Sequence, residues 1–206
     1  MTHIFNHPLL KSKMALIRDK NTNTKDFREL VNEVAKLITY EITRELSTKK
    51  ISVETPVGVA ECEVVDSEIV IVPILRAGLG MLDGILSIIP NAKVGFIGLY
   101  RNEKTLEPVE YYFKVPVIDE KTTVFLLDPM LATGGSAKKG IELLKSKGAK
   151  NIKYIGLVGC PEGIRVLEES HPDVDIFLVE EDEKLNNVGY IVPGLGDCGD
   201  RLFGTK

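Results

Sequence analysis

The chain has 206 residues, a hydrophobic content of 44% and a formal net charge of −4. This suits one domain with an ordinary core, argues against a broad nucleic-acid surface, and offers no apolar run of membrane-spanning length. Cys62, Cys160 and Cys198 are scattered and odd in number, which indicates neither a disulfide framework nor a zinc site.

Residues 1–6 lack the basic-then-apolar order of a signal peptide, so a cytoplasmic location is expected. A polar N-terminal arm comes first, and His3, His7 and His171 read as surface or packing residues. Phe27, Leu30, Val31, Val34, Leu37, Ile38, Ile42 and Leu46 then keep a helical period. Thr24 or Asp26 is the expected cap, with Glu29 three residues after Asp26. Two β-like runs within 51–65 flank Pro56-Val57-Gly58, a hairpin signature. From there strands and helices alternate. Strands are expected over 69–74, 93–100, 111–115, 123–127, 152–158 and 175–179, and helices over 80–89, 136–147 and 163–170. Continuous apolar strands between helices predict an α/β fold with a parallel sheet covered on both faces. Ligands in such folds sit at the carboxyl ends of the strands.

The most informative stretch is 124–136. An apolar run ends on Asp128, and a short loop closes on Thr133-Gly134-Gly135-Ser136 before a helical pattern begins. That order places backbone N–H groups and two hydroxyls at a helix N-terminus, where an anion is favoured. The Asp128 carboxylate upstream can accept hydrogen bonds from vicinal sugar hydroxyls. Together these parts fit a ribose 5-phosphate.

Three further loops fall at strand ends. Arg76 is the sole charge between Glu68 and Asp83 and is followed by glycines. Its planar fork suits an oxyanion. A dinucleotide-binding loop competes there, but Gly78-x-Gly80-x-x-x-Gly84 is one residue too long, and no Walker A spacing occurs. Residues 100–108 are highly charged, contain Arg101 and Lys104, and read as a mobile lid or a solvated hairpin loop. In 190–201, three glycines and a proline leave little scope for regular structure, and free the backbone to approach a ligand.

These segments together resemble the uracil phosphoribosyltransferases over nearly the whole chain. The resemblance starts at His7-Pro8-Leu9, continues through Phe27-Arg28-Glu29-Leu30 and closes on 200–206. Its most specific pieces are 73–81 around Arg76, Tyr100-Arg101-Asn102-Glu103, the 128–136 loop, and Pro193-Gly194-Leu195-Gly196-Asp197. The wider phosphoribosyltransferase family has two adjacent acids before its phosphate loop. Pro129 replaces the second here, as in the uracil branch. The resemblance implies a parallel-sheet fold with helices on both faces, a β-hairpin and a C-terminal hood over the base. It implies transfer from 5-phosphoribosyl 1-pyrophosphate (PRPP) to uracil, giving UMP and pyrophosphate. Asp128, Pro129, Met130, Leu131, Ala132, Thr133, Gly134, Gly135 and Ser136 would bind the ribose phosphate. Arg76 and Arg101 would bind the pyrophosphate. Ile191, Gly196, Asp197 and Cys198 would hold uracil, with Asp197 also facing PRPP. Arg76, Arg101 and Asp197 are thus the catalytic candidates. Cys198 stands where the family commonly has Ala, at a largely backbone contact. Mg²⁺ would arrive with PRPP rather than in a protein cage. GTP is an effector of some relatives, with no site assigned here, and a homodimer or higher homo-oligomer is expected. A phosphoribosyltransferase for another base, and an RNA-binding member of the same fold that senses pyrimidine nucleotides, stand as alternatives.

Overall fold

The computed structural model describes residues 1–101 and 108–205, without the Arg101 side chain. In chain order its elements are β1 (Thr2–Ile4), α1 (Pro8–Arg18), α2 (Thr24–Ile42), β2 (Thr48–Thr55), β3 (Gly58–Val65), β4 (Glu68–Leu75) and α3 (Leu79–Ile88). There follow β5 (Lys93–Val94), β6 (Phe96–Arg101), β7 (Pro108–Lys114), β8 (Thr122–Leu127), β9 (Met130–Leu131) and α4 (Gly135–Ser146). The last are β10 (Asn151–Gly159), α5 (Pro161–Ser170), β11 (Asp175–Glu181), β12 (Lys184–Leu185), β13 (Ile191–Val192) and α6 (Cys198–Phe203).

The main sheet runs β1-β11-β10-β8-β4-β6-β7, with β5 beside β4 and β9 beside β10. Every pairing in it is parallel except β6 with β7. Alternation along each strand sends successive side chains to opposite faces. Ile69, Ile71, Phe125, Leu127, Ile155 and Leu157 meet α1, α2, α3 and α6 on one face. Val70, Val72, Val124, Leu126, Ile152 and Tyr154 meet α4 and α5 on the other. Both strand faces are covered, which is why these strands are apolar without a break. Each fully buried Ile, Leu or Phe contributes about 1.5–3 kcal/mol. Among the described residues, no helix is long and apolar enough to cross a membrane.

The polar N-terminal arm is instead ordered. Thr2 to Ile4 extend the sheet beside β11, and Leu10, Met14 and Ile17 form the buried stripe of α1. Three apolar residues at that spacing are a helical signal that the surrounding lysines mask. His7 Nδ1 caps this helix by accepting from the Leu9 N–H. The cap of α2 is Asn23 rather than Thr24 or Asp26. Its side-chain oxygen accepts from the Asp26 N–H at 3.0 Å, while its amide donates to the Asp26 carboxylate at 2.8 Å. Such a cap contributes ~1 kcal/mol. The helix ends at Ile42, and Leu46 packs on the core from the turn beyond it. The single strand expected over 93–100 is two pieces, parted where the Gly95 N–H bonds to Ile71 O. The hairpin at Pro56-Val57-Gly58 is β2–β3, a separate two-stranded sheet.

Candidate active site

The loops after β4 and β8 lie at the carboxyl ends of adjacent strands, and the C-terminal segment packs beside them. After β8 the chain does not turn at once into α4. The Asp128 N–H bonds to Ile155 O at 3.1 Å, and Pro129 O accepts from the Leu157 and Val158 N–H groups. Met130 and Leu131 then pair with β10. Gly134 takes the N-cap position of α4 in the left-handed region, φ 79°, with no side-chain cap. The first intrahelical bond runs from the Lys138 N–H to Gly134 O. The amides of Gly135, Ser136 and Ala137 therefore precede the helical ladder, at its positive end. Asp128, Met130, Leu131, Ala132, Thr133, Gly134, Gly135 and Ser136 wall a cradle of about 40 Å³. Pro129 supports it from behind through its carbonyl.

A second cavity, about 360 Å³, opens next to the first. Ile191, Gly196, Asp197 and Cys198 line it, as expected for a base pocket, and Asp128, Met130 and Ala132 line it from the phosphate side. Ala77, Gly189, Tyr190 and Gly199 complete the wall and were not anticipated. Residues 190–201 are more regular than their glycine content suggests. Ile191–Val192 pairs with β12, and α6 starts at Cys198, capped by Asp197, whose Oδ1 accepts from the Asp200 N–H at 2.8 Å. Asp197 is exposed, while Ile191 and Cys198 are buried.

Arg76 lies in the turn after β4, with its side chain 54% exposed. Its guanidinium donates to Asp200 Oδ1 at 3.2 Å and to Thr205 Oγ1 at 3.4 Å. A Cβ on Gly199 would sit 3.8 Å from Arg76 Nη2. The cation is thus held at the mouth of the base pocket by the C-terminal helix. Arg101 ends β6, beside β4, but its side chain, like Lys104 and the rest of the expected lid at 102–107, lies outside the described residues. The glycines of the competing dinucleotide reading serve packing. A Cβ on Gly80 would meet the Leu202 side chain at 2.7 Å, and one on Gly84 would meet Asn32 O at 2.4 Å.

Two ionisable groups that line the base pocket are shifted by burial. Burial raises the Asp128 carboxyl to about 7, and the long contact from the Met130 N–H offsets little of this. Burial, aided by the charges of Asp128 and Asp197, holds the Cys198 thiol far above its ordinary value, so it is a neutral packing group. Tyr154, fully buried beneath, donates its hydroxyl to Asp128 O at 2.8 Å. A larger cleft, about 620 Å³ between α2, α3 and α6, shares no residue with either cavity.

The model of the family "uracil phosphoribosyltransferase" matches residues 4–205. A uracil phosphoribosyltransferase of Acholeplasma laidlawii is 61% identical over 203 residues, covering 98% of each chain. Among solved structures, the AQ2163 protein of Aquifex aeolicus superposes with a TM-score of 0.96 at 40% identity, over 100% of this chain and 99% of that one. An adenine phosphoribosyl transferase of Trypanosoma brucei, 13% identical, shares the fold at a TM-score of 0.59 over 87% of this chain and 83% of that one. The chain belongs to the uracil phosphoribosyltransferase family, the transferases that make UMP and pyrophosphate from uracil and PRPP.

Proposed function

We propose that residues 128–136 hold the ribose 5-phosphate of PRPP, that Arg76 and Arg101 hold its pyrophosphate, and that Ile191 and 196–198 hold uracil. One observation carries this reading. Asp128 lies in the wall of both cavities. A ligand with phosphate, ribose and base in that order would run from the α4 N-terminus, past the Asp128 carboxyl, to the base pocket. The carboxylate then meets the ribose diol, the one part of such a ligand that presents adjacent hydroxyls.

Uracil N1 attacks ribose C1 as pyrophosphate departs from the opposite face, with inversion and an oxocarbenium-like transition state, and the N1 proton is released to the departing pyrophosphate or to water. No protein nucleophile is needed. The chain aligns the two substrates and places positive charge on the leaving group. Arg76 is suited to this because Asp200 and Thr205 hold its fork before substrate binds. Asp197 bounds the base pocket near PRPP and also fixes the start of α6. For Mg²⁺, no group of three or more His, Cys, Asp or Glu side chains able to hold a metal occurs among the described residues. The residues that are present suit an ion carried mainly by PRPP oxygens and water, and the Asp128 and Asp197 carboxylates that line the pocket would hold its waters. When bound, it would neutralise charge on the departing pyrophosphate. We also propose a homodimer or higher homo-oligomer and an effector role for GTP, both supported by the family alone. Sedimentation, and rates with and without GTP, test them.

The decisive assay takes purified protein, PRPP, Mg²⁺ and a panel of bases, with pyrophosphate release as readout. Uracil alone should support turnover. Equal turnover with another base would overturn the pocket assignment.

A further inference from the structure

We infer that Arg18, Asp182 and Arg201 are positioning residues that set base selectivity by gripping the backbone between the two uracil-contacting segments. The inference rests on the base-pocket reading above. Ile191 and Gly196–Cys198 are separated by Val192-Pro193-Gly194-Leu195, a stretch in which only Val192 belongs to a strand. Selectivity through backbone N–H and C=O groups requires that this stretch be fixed. Three side chains from outside it do so.

Asp182, only 8% exposed, accepts the Gly194 N–H through Oδ2 at 2.8 Å. Arg18 donates to Gly194 O at 2.8 Å, so the residue is held by both its donor and its acceptor. The same guanidinium reaches both Asp182 oxygens, at 2.9 and 2.7 Å, and Glu180 Oε2 at 3.0 and 2.5 Å. Arg201 takes the next carbonyl, Leu195 O, at 2.8 Å. It also takes Ile17 O and Asp19 O at the end of α1, both at 2.6 Å, with its fork 4.2 Å from the Phe27 ring. Gly194 is left-handed, φ 65°, and a Cβ there would fall 2.2 Å from Ile191 O. The Gly194 backbone therefore packs closely against the Ile191 carbonyl. Helix α1 has no residue among those lining either cavity, and both arginines tie it to this stretch.

Neither arginine is replaceable by a point charge. Each serves acceptors in several directions with one planar fork, which an ammonium cannot do. Asp182→Asn keeps size and one acceptor but presents an NH₂ where either Arg18 or the Gly194 N–H needs an oxygen.

The test measures kcat/KM for uracil and cytosine, and PRPP affinity by calorimetry, in Asp182→Asn, Arg18→Lys and Arg201→Lys. The expected result is at least a tenfold loss of the uracil-to-cytosine ratio (~1.4 kcal/mol) with PRPP affinity within about twofold, Arg18→Lys milder than Asp182→Asn. A merely structural role would lower the unfolding temperature and leave that ratio unchanged, and this would overturn the inference. So would a parallel fall in PRPP and uracil binding. Ala77→Phe separates the two levels of the argument, because it narrows the base pocket from the β4 side without touching this frame. If Ala77→Phe leaves uracil kinetics unchanged, the pocket reading fails. If it impairs uracil use while the three frame variants keep full selectivity, the positioning inference alone fails.

Discussion

The phosphate cradle and the base hood meet at Asp128 but are built by opposite means. The cradle is backbone resting on backbone: Asp128, Pro129 and Leu131 all bond to main-chain groups of β10 or the residue after it, and Tyr154 adds one buried hydroxyl. The hood has a two-residue ladder and a short helix, and its stretch between them is gripped by the side chains of Arg18, Asp182 and Arg201, with the Arg76–Asp200 pair beyond. A backbone-built site tolerates exchange of its side chains and fails when a glycine is filled. A site built on side chains fails when a charge is exchanged.

The largest effect should come from filling the cradle's left-handed glycine. In Gly134→Val the branched Cβ would lie 2.9 Å from Val166 and 3.1 Å from Gly163 O, at φ 79°. The added atoms therefore press on α5, not into the phosphate space, so the variant should lose PRPP binding through distortion of the α4 N-terminus. Strain and overpacking together should cost on the order of 2–5 kcal/mol of stability. Gly135→Ala is the cleaner probe, because its Cβ meets nothing closer than 3.7 Å. It should unfold at nearly the wild-type temperature yet bind PRPP more weakly in calorimetry. Full PRPP affinity in Gly134→Val would place the phosphate elsewhere.

Next comes the charge that joins the two regions. Arg76→Ala should lower kcat/KM by about 2–4 kcal/mol, the range for a preorganised charge stabiliser, and Arg76→Lys should rescue little because it cannot serve Asp200, Thr205 and a pyrophosphate oxygen with one fork. Arg101→Ala should fall in the same range. Near-normal turnover at saturating PRPP in both alanine variants would remove the pyrophosphate assignment.

The two regions also differ in what a reader of the sequence can recover. Strand, acid, Thr-Gly-Gly-Ser and helix are contiguous, so the cradle follows from local order and helix-terminus electrostatics. The hood's supports are distant in sequence: Arg18 and Gly194 are separated by 176 positions, Arg201 and Ile17 by 184. No local pattern encodes such pairs, and the uracil residues were reached only through family likeness. The same limit explains α1 and Asn23. A buried stripe of three residues among lysines is a weak signal, and a cap is chosen by which residue's φ and ψ leave the helix, not by composition. Asp200-Arg201 was visible as family likeness, but nothing in it says that Asp200 serves Arg76 while Arg201 serves the hood.

A smaller, pH-dependent effect should separate Asp128 from the rest of the cradle. Its carboxyl titrates near 7 in the folded chain, against an ordinary value of 3.8. Between those values the folded state holds a proton that the unfolded chain has released. Wild-type stability should therefore fall as pH rises from about 4 to 7 and level off above, and Asp128→Asn should lack this component. For PRPP the sign reverses: affinity should gain a component on rising through pH 7, as the carboxylate becomes a full acceptor for the diol. The PRPP phosphates titrate in the same range, so the informative quantity is the difference between wild type and Asp128→Asn. Parallel pH profiles for the two would mean that Asp128 does not meet the ribose.

The smallest effect should be at Cys198, and its smallness is what makes it informative. The residue is buried in the base pocket wall, and its thiol is neutral. Uracil offers an acceptor at O4 and a donor at N3, whereas cytosine offers a donor and an acceptor. If backbone groups of 191–198 read that edge, cytosine leaves two of them unpaired, and discrimination of order 10⁴ is within reach. Cys198→Ala keeps every backbone group and removes only one sulfur from the wall. Its uracil-to-cytosine ratio should stay within about threefold of wild type, ~0.7 kcal/mol, with a small change in uracil KM from the enlarged cavity. A tenfold collapse of that ratio on loss of the sulfur would show that the side chain takes part in reading the base. The hood would then be a side-chain reader as well as a side-chain-built frame.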